Sequence, residues 1–232
     1  MKDLPVVTID GPAGSGKSTT AKLVALRLGY VYLDTGAMYR AMALKAIRLG
    51  LDVNDAEGLG KMAGRTDLRV EADAGGTRVV LDGSDVTGLL RDPDVTRAAS
   101  PVSAAKGVRT RMVEIQREIG RRGGIVAEGR DMGSVVFPDA EVKIYLEAAV
   151  SRRASRRQKD LLAAGVSTDV AKVEQDLSAR DRRDSSREHS PLCVPTGAVV
   201  VDTTDLTIDQ QVDRVLEVVR VKTGRGRGAA SL

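Results

Sequence analysis

The sequence of 232 residues predicts an α/β fold in which a parallel β-sheet carries helices on both faces. Short apolar runs alternate with segments long enough for a helix, and this alternation is typical of parallel sheets. A glycine-rich turn follows the first run and leads into a helical stretch. The five candidate strands are VVTID (6–10), YVYL (30–33), GIVAE (124–128), VKIYLE (142–147) and AVVVD (198–202).

Helical spacing of apolar residues supports three of the intervening helices. The first, STTAKLVALRL (18–28), directly follows the glycine-rich turn. The second spans Lys106 to Gly120, and the third lies near the C-terminus; both are expected to face the core. Their apolar positions are Val108, Met112, Ile115 and Ile119 in the second helix, and Ile208, Val212, Val215 and Val219 in the third.

Two segments depart from this pattern. In LRVEADAGGTRVVLDGSDVTG (68–88), apolar and polar residues alternate around Gly75-Gly76 and Asp82-Gly83, which are typical hairpin-turn dipeptides. We expect a small antiparallel insert at about 67–90. The tail, residues 223–232, is rich in Gly, Arg, Ala and Ser without periodicity and is expected to be disordered, leaving one domain at 1–222.

The composition excludes several classes of protein. Apolar residues make up 42% and charged residues 29%, which argues against disorder over most of the chain. A single cysteine, Cys193, and a single histidine, His189, exclude an internal disulfide and a Cys/His zinc site. The N-terminus lacks the apolar length of a signal peptide, and no apolar run approaches membrane-spanning length. We therefore expect a cytoplasmic protein with no membrane partner, whose net charge of +4 suits anionic ligands.

The stretch IDGPAGSGKST (9–19) carries the Walker A pattern, with Gly11 and Gly16 followed by Lys17 and Ser18. Glycines let successive backbone N–H groups curl around a phosphate, and the helix N-terminus adds partial positive charge. Lys17 would reach the β- and γ-phosphates, and the Ser18 hydroxyl can ligate Mg²⁺. An accidental match is the alternative, but the strand–turn–helix context argues against it. The candidate ATP-binding residues are Gly11, Pro12, Ala13, Gly14, Ser15, Gly16, Lys17, Ser18 and Thr19, although Thr19 is more typical of a helix surface.

Arginines recur at short spacing in DTGAMYR, VRTR, EGRDMG, SRRASRR and ARDRRDSSR. Basic runs on helices are mostly solvated faces, but several of these arginines follow strands or adjoin carboxylates, where α/β sheets bind ligands. A phosphate monoester, with a second pKa near ~6, is largely a dianion at neutral pH and needs no base to accept a phosphoryl group. It does need cations that offset the repulsion between acceptor and γ-phosphate. A nucleoside-monophosphate kinase is the reaction class that this pattern favours.

Three segments, LDTGAMYRA (33–41), EGRDMGSVVFPDA (128–140) and RDRRDSSR (180–187), together resemble bacterial cytidylate kinases, a family of P-loop nucleoside-monophosphate kinases. The likeness runs from the Walker A stretch to the final helix. It implies a five-stranded parallel core, an NMP-binding region at about 35–108 that holds the antiparallel insert, and a mobile arginine-rich lid at about 150–187. It also implies a monomer that transfers the γ-phosphoryl group of ATP to CMP or dCMP in pyrimidine nucleotide metabolism, with Mg²⁺ and without nucleic acid.

The resemblance also implies roles for single residues. The residues implied in phosphoryl transfer are Lys17, Arg130, Arg153 and Arg157, with the choice within RRASRR open by one position. The residues implied around the CMP phosphate are Thr35, Tyr39, Arg40 and Arg130. Those implied in reading cytosine are Ser100, Arg109, Asp131 and Arg187, and those implied near the ribose are Arg180 and Asp184.

Asp131 also has a chemical reason to read cytosine. A carboxylate accepts a hydrogen bond from the N4 amino group of cytosine and repels the O4 acceptor of uracil. The alternative is that Asp131 only forms an ion pair with its neighbour Arg130 or caps a loop, and the residues alone favour that alternative.

Three other functions remain open at this point. A GTPase shares the Walker A pattern, but AVVVD is followed by TTDLTID and not by an Asn/Thr-Lys-x-Asp segment. A nucleic-acid-dependent ATPase would suit the basic chain and its RGRG tail, but aromatic residues for base stacking make up only 2%. A P-loop kinase that acts on the hydroxyl group of a small metabolite is the nearest rival among enzymes.

Overall fold

The computed structural model describes residues 4–72, 77–163 and 165–224. The strands are β1 (Val6–Asp10), β2 (Val31–Asp34), β3 (Leu68–Ala72), β4 (Thr77–Leu81), β5 (Ser84–Asp85), β6 (Ile125–Gly129), β7 (Val142–Glu147) and β8 (Val199–Asp202). The helices are α1 (Lys17–Leu28), α2 (Thr35–Arg48), α3 (Ala56–Gly64), α4 (Pro93–Val102), α5 (Lys106–Gly120), α6 (Val150–Ala163), α7 (Val170–Ser185) and α8 (Ile208–Thr223).

The central sheet is parallel and has the strand order β2-β6-β1-β7-β8. The five predicted strands are confirmed, with ends that differ by at most one residue. Strand β1 lies in the middle and pairs with β6 from Val6↔Ile125 to Asp10↔Gly129. The carboxyl ends of β1 and β6 therefore lie side by side, and the loops that follow them share one edge of the sheet.

Helices cover both faces of the sheet, as predicted. Successive residues of β6 point to opposite faces, so Val126 packs with α1 and α8 while Ile125 and Ala127 pack with α2 and α5. The predicted helix over 106–120 has the bounds of α5, and α8 carries the predicted C-terminal stripe. The sequence patterns had not identified α2, α3 and α4.

The antiparallel insert follows α3, as predicted. It is a three-stranded sheet in which β4 lies between β3 and β5. Asp82 and Gly83 have φ values of 47° and 82°, which is the left-handed backbone expected of a tight hairpin turn. The other dipeptide, Gly75-Gly76, lies outside the described residues. Thr77, at the start of β4, attaches the insert to the main sheet: its Oγ1 donates to Tyr32 O at 3.0 Å and accepts from Asp34 N at 3.2 Å.

The arginine-rich segment forms two packed helices, α6 and α7, with a break at 165–169 that contains Gly165 and VSTD. Ala154, Val173 and Leu177 form a small core with Ala13, which lies in the glycine-rich turn. The pair of helices therefore contacts the turn directly. Thr223 still belongs to α8, and residues 225–232 of the expected tail lie outside the described residues. Among the described helices, none combines the length and apolar character needed to cross a bilayer.

Candidate phosphoryl-transfer site

The turn at 11–16, called the P-loop below, depends on its glycines. Gly11, Gly14 and Gly16 have φ values of 145°, 78° and 92°, and a Cβ atom at Gly11 would lie 2.0 Å from Leu146 O. Any other residue at Gly11 would clash with β7. Helix α1 begins directly after Gly16, without a side-chain cap and without an acidic residue in its first turn. Its first N–H groups are therefore available to an anion.

Lys17 lies inside this turn and is only 5% exposed. Its Nζ donates to Pro12 O at 2.7 Å and to Ser15 Oγ at 3.4 Å. Burial lowers the pKa of Lys17, and the positive charge of Arg130 lowers it further. A bound phosphate would counter both effects, since an anion stabilises the charged ammonium group.

The first turn of α1 meets a buried carboxylate at the end of β6. Ser18 Oγ donates to Glu128 Oε1 at 2.5 Å, and the Tyr32 hydroxyl donates to the same oxygen at 3.3 Å. Burial raises the pKa of Glu128, and the nearby Asp34 raises it further. A hydroxyl beside a carboxylate fits Mg²⁺, which takes a few protein oxygen ligands and completes its shell with water and phosphate. Thr19 is exposed on the next position of α1.

Helix α2 carries the residues of the LDTGAMYRA segment. Asp34 caps the helix by accepting from Ala37 N at 2.9 Å, and its other oxygen accepts from Arg40 at 2.9 Å. Thr35 Oγ1 donates to Glu128 O at 2.7 Å, which ties the start of α2 to β6. Tyr39 is buried, and the Arg109 guanidinium lies 5.4 Å from the centre of its ring.

Asp131 forms a buried ion pair with Arg109, whose side chains are 3% and 4% exposed. Arg109 also donates to Ser103 O at 3.1 Å, and Ser100 lies on α4 nearby. The alternative in which Asp131 pairs with its neighbour Arg130 is wrong. The two side chains diverge, because Arg130 donates its Nε to Asp184 Oδ2 at 3.0 Å.

Asp184 is the common partner of the remaining arginines. Arg187 lies 2.6 Å from its Oδ1, and Arg180 Nε lies 4.0 Å from its Oδ2. Burial alone would raise the pKa of Asp184, but Arg130, Arg187 and Arg180 outweigh it and hold that pKa below its ordinary value. Burial and Arg130 together lower the pKa of Arg180 to about 10.

A family model of cytidylate kinases matches residues 7–221. The chain belongs to the cytidylate kinase family. A cytidylate kinase of Pelotomaculum thermopropionicum is 46% identical over 226 residues, which cover 97% of this chain and 99% of that protein. A cytidylate kinase of Pediococcus pentosaceus is 46% identical over 213 residues, or 92% and 94% of the two chains.

One solved structure, a shikimate kinase from Bacteroides thetaiotaomicron, superposes with a TM-score of 0.49 at 11% identity over 93% of this chain and 98% of that one. A likeness of this strength has no bearing on the substrate.

In this member of the cytidylate kinase family, α6 carries two further arginines near the P-loop. Arg153, on α6, donates to Ala13 O at 3.0 Å and pairs with Asp181 of α7 at 2.6 Å. It is therefore attached to both the P-loop and α7. Arg157 lies one turn further along α6, is half-buried, and is close enough to contribute to the lowered pKa of Arg180.

Sequence reasoning missed four carboxylates of this region, of which Asp34 holds Arg40 and Asp181 holds Arg153. Asp10, Asp34 and Glu128 each lie at or next to the carboxyl end of a sheet strand, and that position was the available signal. Asp181 gives no such signal, because its partner Arg153 lies on another helix. The Asp10 carboxylate accepts from Met132 N and Gly133 N, both at 2.8 Å, and burial raises its pKa to about 7.

Proposed function

We propose that the chain transfers the γ-phosphoryl group of ATP to CMP, and also to dCMP, producing ADP and CDP or dCDP. A phosphate oxygen of the acceptor forms the new P–O bond as the bond between the γ-phosphorus and the β–γ bridging oxygen breaks. The acceptor phosphate is already ionised at neutral pH, so no proton has to be removed. Membership of the cytidylate kinase family supports this reaction.

A cluster of cations beside the P-loop is the observation that carries the proposal. Repulsion from Arg130 and Arg180 helps lower the pKa of Lys17, and repulsion from Arg130, Arg40 and Arg157 helps lower that of Arg180. The carboxylates Asp34 and Asp184 offset this repulsion only in part, since the pKa values of Lys17 and Arg180 are still lowered, and a bound anion would therefore stabilise the cluster. The phosphate groups of two nucleotides that meet at this point would relieve the repulsion and gain charge-assisted hydrogen bonds.

We assign the donor site to the P-loop. Its backbone N–H groups and Lys17 would hold the β- and γ-phosphates of ATP, and the pair of Ser18 and Glu128 would hold Mg²⁺. The ion would supply charge neutralisation between the phosphates. Arg153 and Arg157 would add positive charge from the lid as the phosphoryl group moves.

We assign the acceptor site to the arginines on the other side of the cluster. Arg40 and Arg130 would bind the CMP phosphate beside Thr35 and Tyr39. Buried polar atoms support this assignment: within the described residues, Nε of Arg40, Arg109 and Arg180 and Oγ of Ser100 have no hydrogen-bond partner. Buried donors without partners are costly, so several in one place indicate a ligand site.

Recognition of the base would depend on the ion pair of Asp131 with Arg109. Asp131 would accept from the N4 amino group, while Arg109, Arg187 and Ser100 would face the N3 and O2 side of cytosine. Asp184 and Arg180 would lie at the ribose. Only the ribose contacts could distinguish CMP from dCMP, and we propose that both are substrates.

We further propose that residues 1–222 act as one domain and one monomer in the cytoplasm, within pyrimidine nucleotide metabolism. The NMP-binding region would span about 35–108 and the lid about 150–187. Small-molecule nucleotides would be its partners, without nucleic acid or membrane. The single exposed cysteine, Cys193, suits a reducing compartment.

The test is a coupled assay of ADP release with ATP and Mg²⁺ across CMP, dCMP, UMP, AMP, GMP and shikimate. We expect activity with CMP and dCMP far above that with the other acceptors. A preference for shikimate or for a purine monophosphate would refute the proposal. Omission of the acceptor is the control for simple ATP hydrolysis.

A further inference from the structure

Asp10 is a buried carboxylate that makes two parallel hydrogen bonds to one loop. Its Oδ1 accepts from Met132 N and its Oδ2 from Gly133 N, each at 2.8 Å, and its side chain is fully buried. A carboxylate that binds two successive N–H groups with its two oxygens fixes both the position and the orientation of the peptide between them. A single bond would leave the peptide free to rotate.

The loop that Asp10 holds continues into a π-helical turn, Met132–Val136. Such turns are rare and often lie at functional sites. The far end of the turn is held by Arg117 of α5, which donates Nε to Val136 O at 3.0 Å and a terminal nitrogen to Val135 O at 2.7 Å. Two bidentate side chains therefore hold the turn, Asp10 at its start and Arg117 at its end.

The turn also packs closely against the sheet. A Cβ atom at Gly133 would lie 2.9 Å from Thr8 Oγ1 and 3.1 Å from Pro195 Cγ, so the backbone rests on β1 at this point. Arg130 and Asp131 directly precede the turn. Their side chains diverge, toward Asp184 and Arg109, and small rotations of the loop would misdirect both.

Asp10 is also the last residue of β1, directly before Gly11 of the P-loop. We propose that Asp10 is a positioning residue that sets the acceptor loop relative to the donor loop, and that Arg117 is its counterpart at the other end of the π-helical turn. Asp10 contacts neither nucleotide in this account, which rests on the proposed CMP kinase activity. It acts through Arg130 and Asp131.

The first test is Asp10→Asn, which has the same shape but only one accepting oxygen. We expect amide hydrogen exchange at 132–136 to accelerate without any nucleotide present. We expect kcat/KM for CMP to fall by about 100-fold, since a small misplacement of substrate-binding groups has an effect of this order. The KM for CMP should rise more than the KM for ATP. Val219→Ala, a core truncation in α8 away from this loop, serves as the control for general loss of stability.

The second test is Arg117→Ala, which removes both bonds at the other end of the turn from an exposed position and should leave the fold intact. We expect the KM for CMP to rise by about 10-fold while the KM for ATP stays unchanged. Arg121→Ala is the matched control, because Arg121 lies at the end of the same helix and pairs with Glu118.

Slow exchange at 132–136 in Asp10→Asn, or parallel changes in both KM values in Arg117→Ala, would overturn the proposal. If Asp10→Asn does not fold, Arg117→Ala decides alone. Lack of CMP kinase activity in the parent would refute the proposed function. The exchange measurement needs no substrate, so it still tests the positioning role in that case.

Discussion

Asp131→Asn is expected to relax the choice of base without abolishing catalysis. Asp131 Oδ2 is paired with Arg109, and we therefore assign Oδ1 to the N4 amino group of cytosine. A carboxylate can only accept, whereas a carboxamide can turn its NH₂ group toward O4 of uracil and donate. CMP efficiency should fall while UMP efficiency holds or rises.

The magnitude has two parts. Loss of one charge-assisted hydrogen bond to cytosine costs about 1.5 to 3 kcal/mol, which is roughly ten- to a hundred-fold in kcat/KM for CMP. The substitution also leaves the Arg109 guanidinium buried without its counter-charge, and breaking a buried pair in this way costs about 3 to 5 kcal/mol of stability. The amide oxygen of asparagine can still accept from Arg109, so the loss of stability should lie at or below the lower end of that range.

The assay measures kcat/KM for CMP and for UMP in the parent and in Asp131→Asn, together with urea unfolding of both. Asp34→Asn is the control, since it neutralises another carboxylate of the same region whose partner, Arg40, we place at the phosphate that both substrates share. It should lower both efficiencies alike. An unchanged ratio of CMP to UMP efficiency in Asp131→Asn would remove Asp131 from the residues that read the base.

Three further predictions test the donor site, the lid and the buried carboxylate. Lys17→Ala should abolish phosphoryl transfer and leave the fold intact, because the described hydrogen bonds of the Lys17 side chain join it only to polar atoms of its own loop. Near-normal turnover by a folded variant would contradict this prediction. Hydrogen exchange over 150–185 should slow when ATP and CMP analogues bind together, as expected of a lid that closes over both phosphates, and unchanged exchange would contradict it. In the folded protein, the pKa of Asp10 is raised from 3.8 to about 7. Between these two pH values Asp10 is protonated in the folded state and ionised in the unfolded state. The free energy of unfolding should therefore fall as the pH rises through this window, by up to about 4 kcal/mol. Asp10→Asn should not show this fall, and urea unfolding of the parent and the variant at pH 5 and pH 8 measures it. The same difference between pH 5 and pH 8 in both proteins would refute the assignment of the pH dependence to Asp10.

Local sequence patterns determined the secondary structure that surrounds the site. The five strands, α1, α5 and α8 are periodic apolar segments, and the P-loop lies at the junction of the first strand and helix, where its glycines have the left-handed backbone that the motif requires. The insert was predictable for the same reason, since turn dipeptides act over a few residues. Helices α2 to α4 were not predicted as elements.

The partners of the charged residues were decided only by the tertiary structure. Asp131 pairs with Arg109 and not with the adjacent Arg130, which reaches Asp184 at a distance of 54 residues along the chain. Asp10 holds a peptide 122 residues away. The strand order places the end of β6 beside the end of β1. Helices α5 and α7 supply the partners of the two residues that follow β6. An ion pair forms between atoms that lie close together in space. Two residues that are adjacent in sequence can point their side chains in different directions, so adjacency in sequence does not identify the partner.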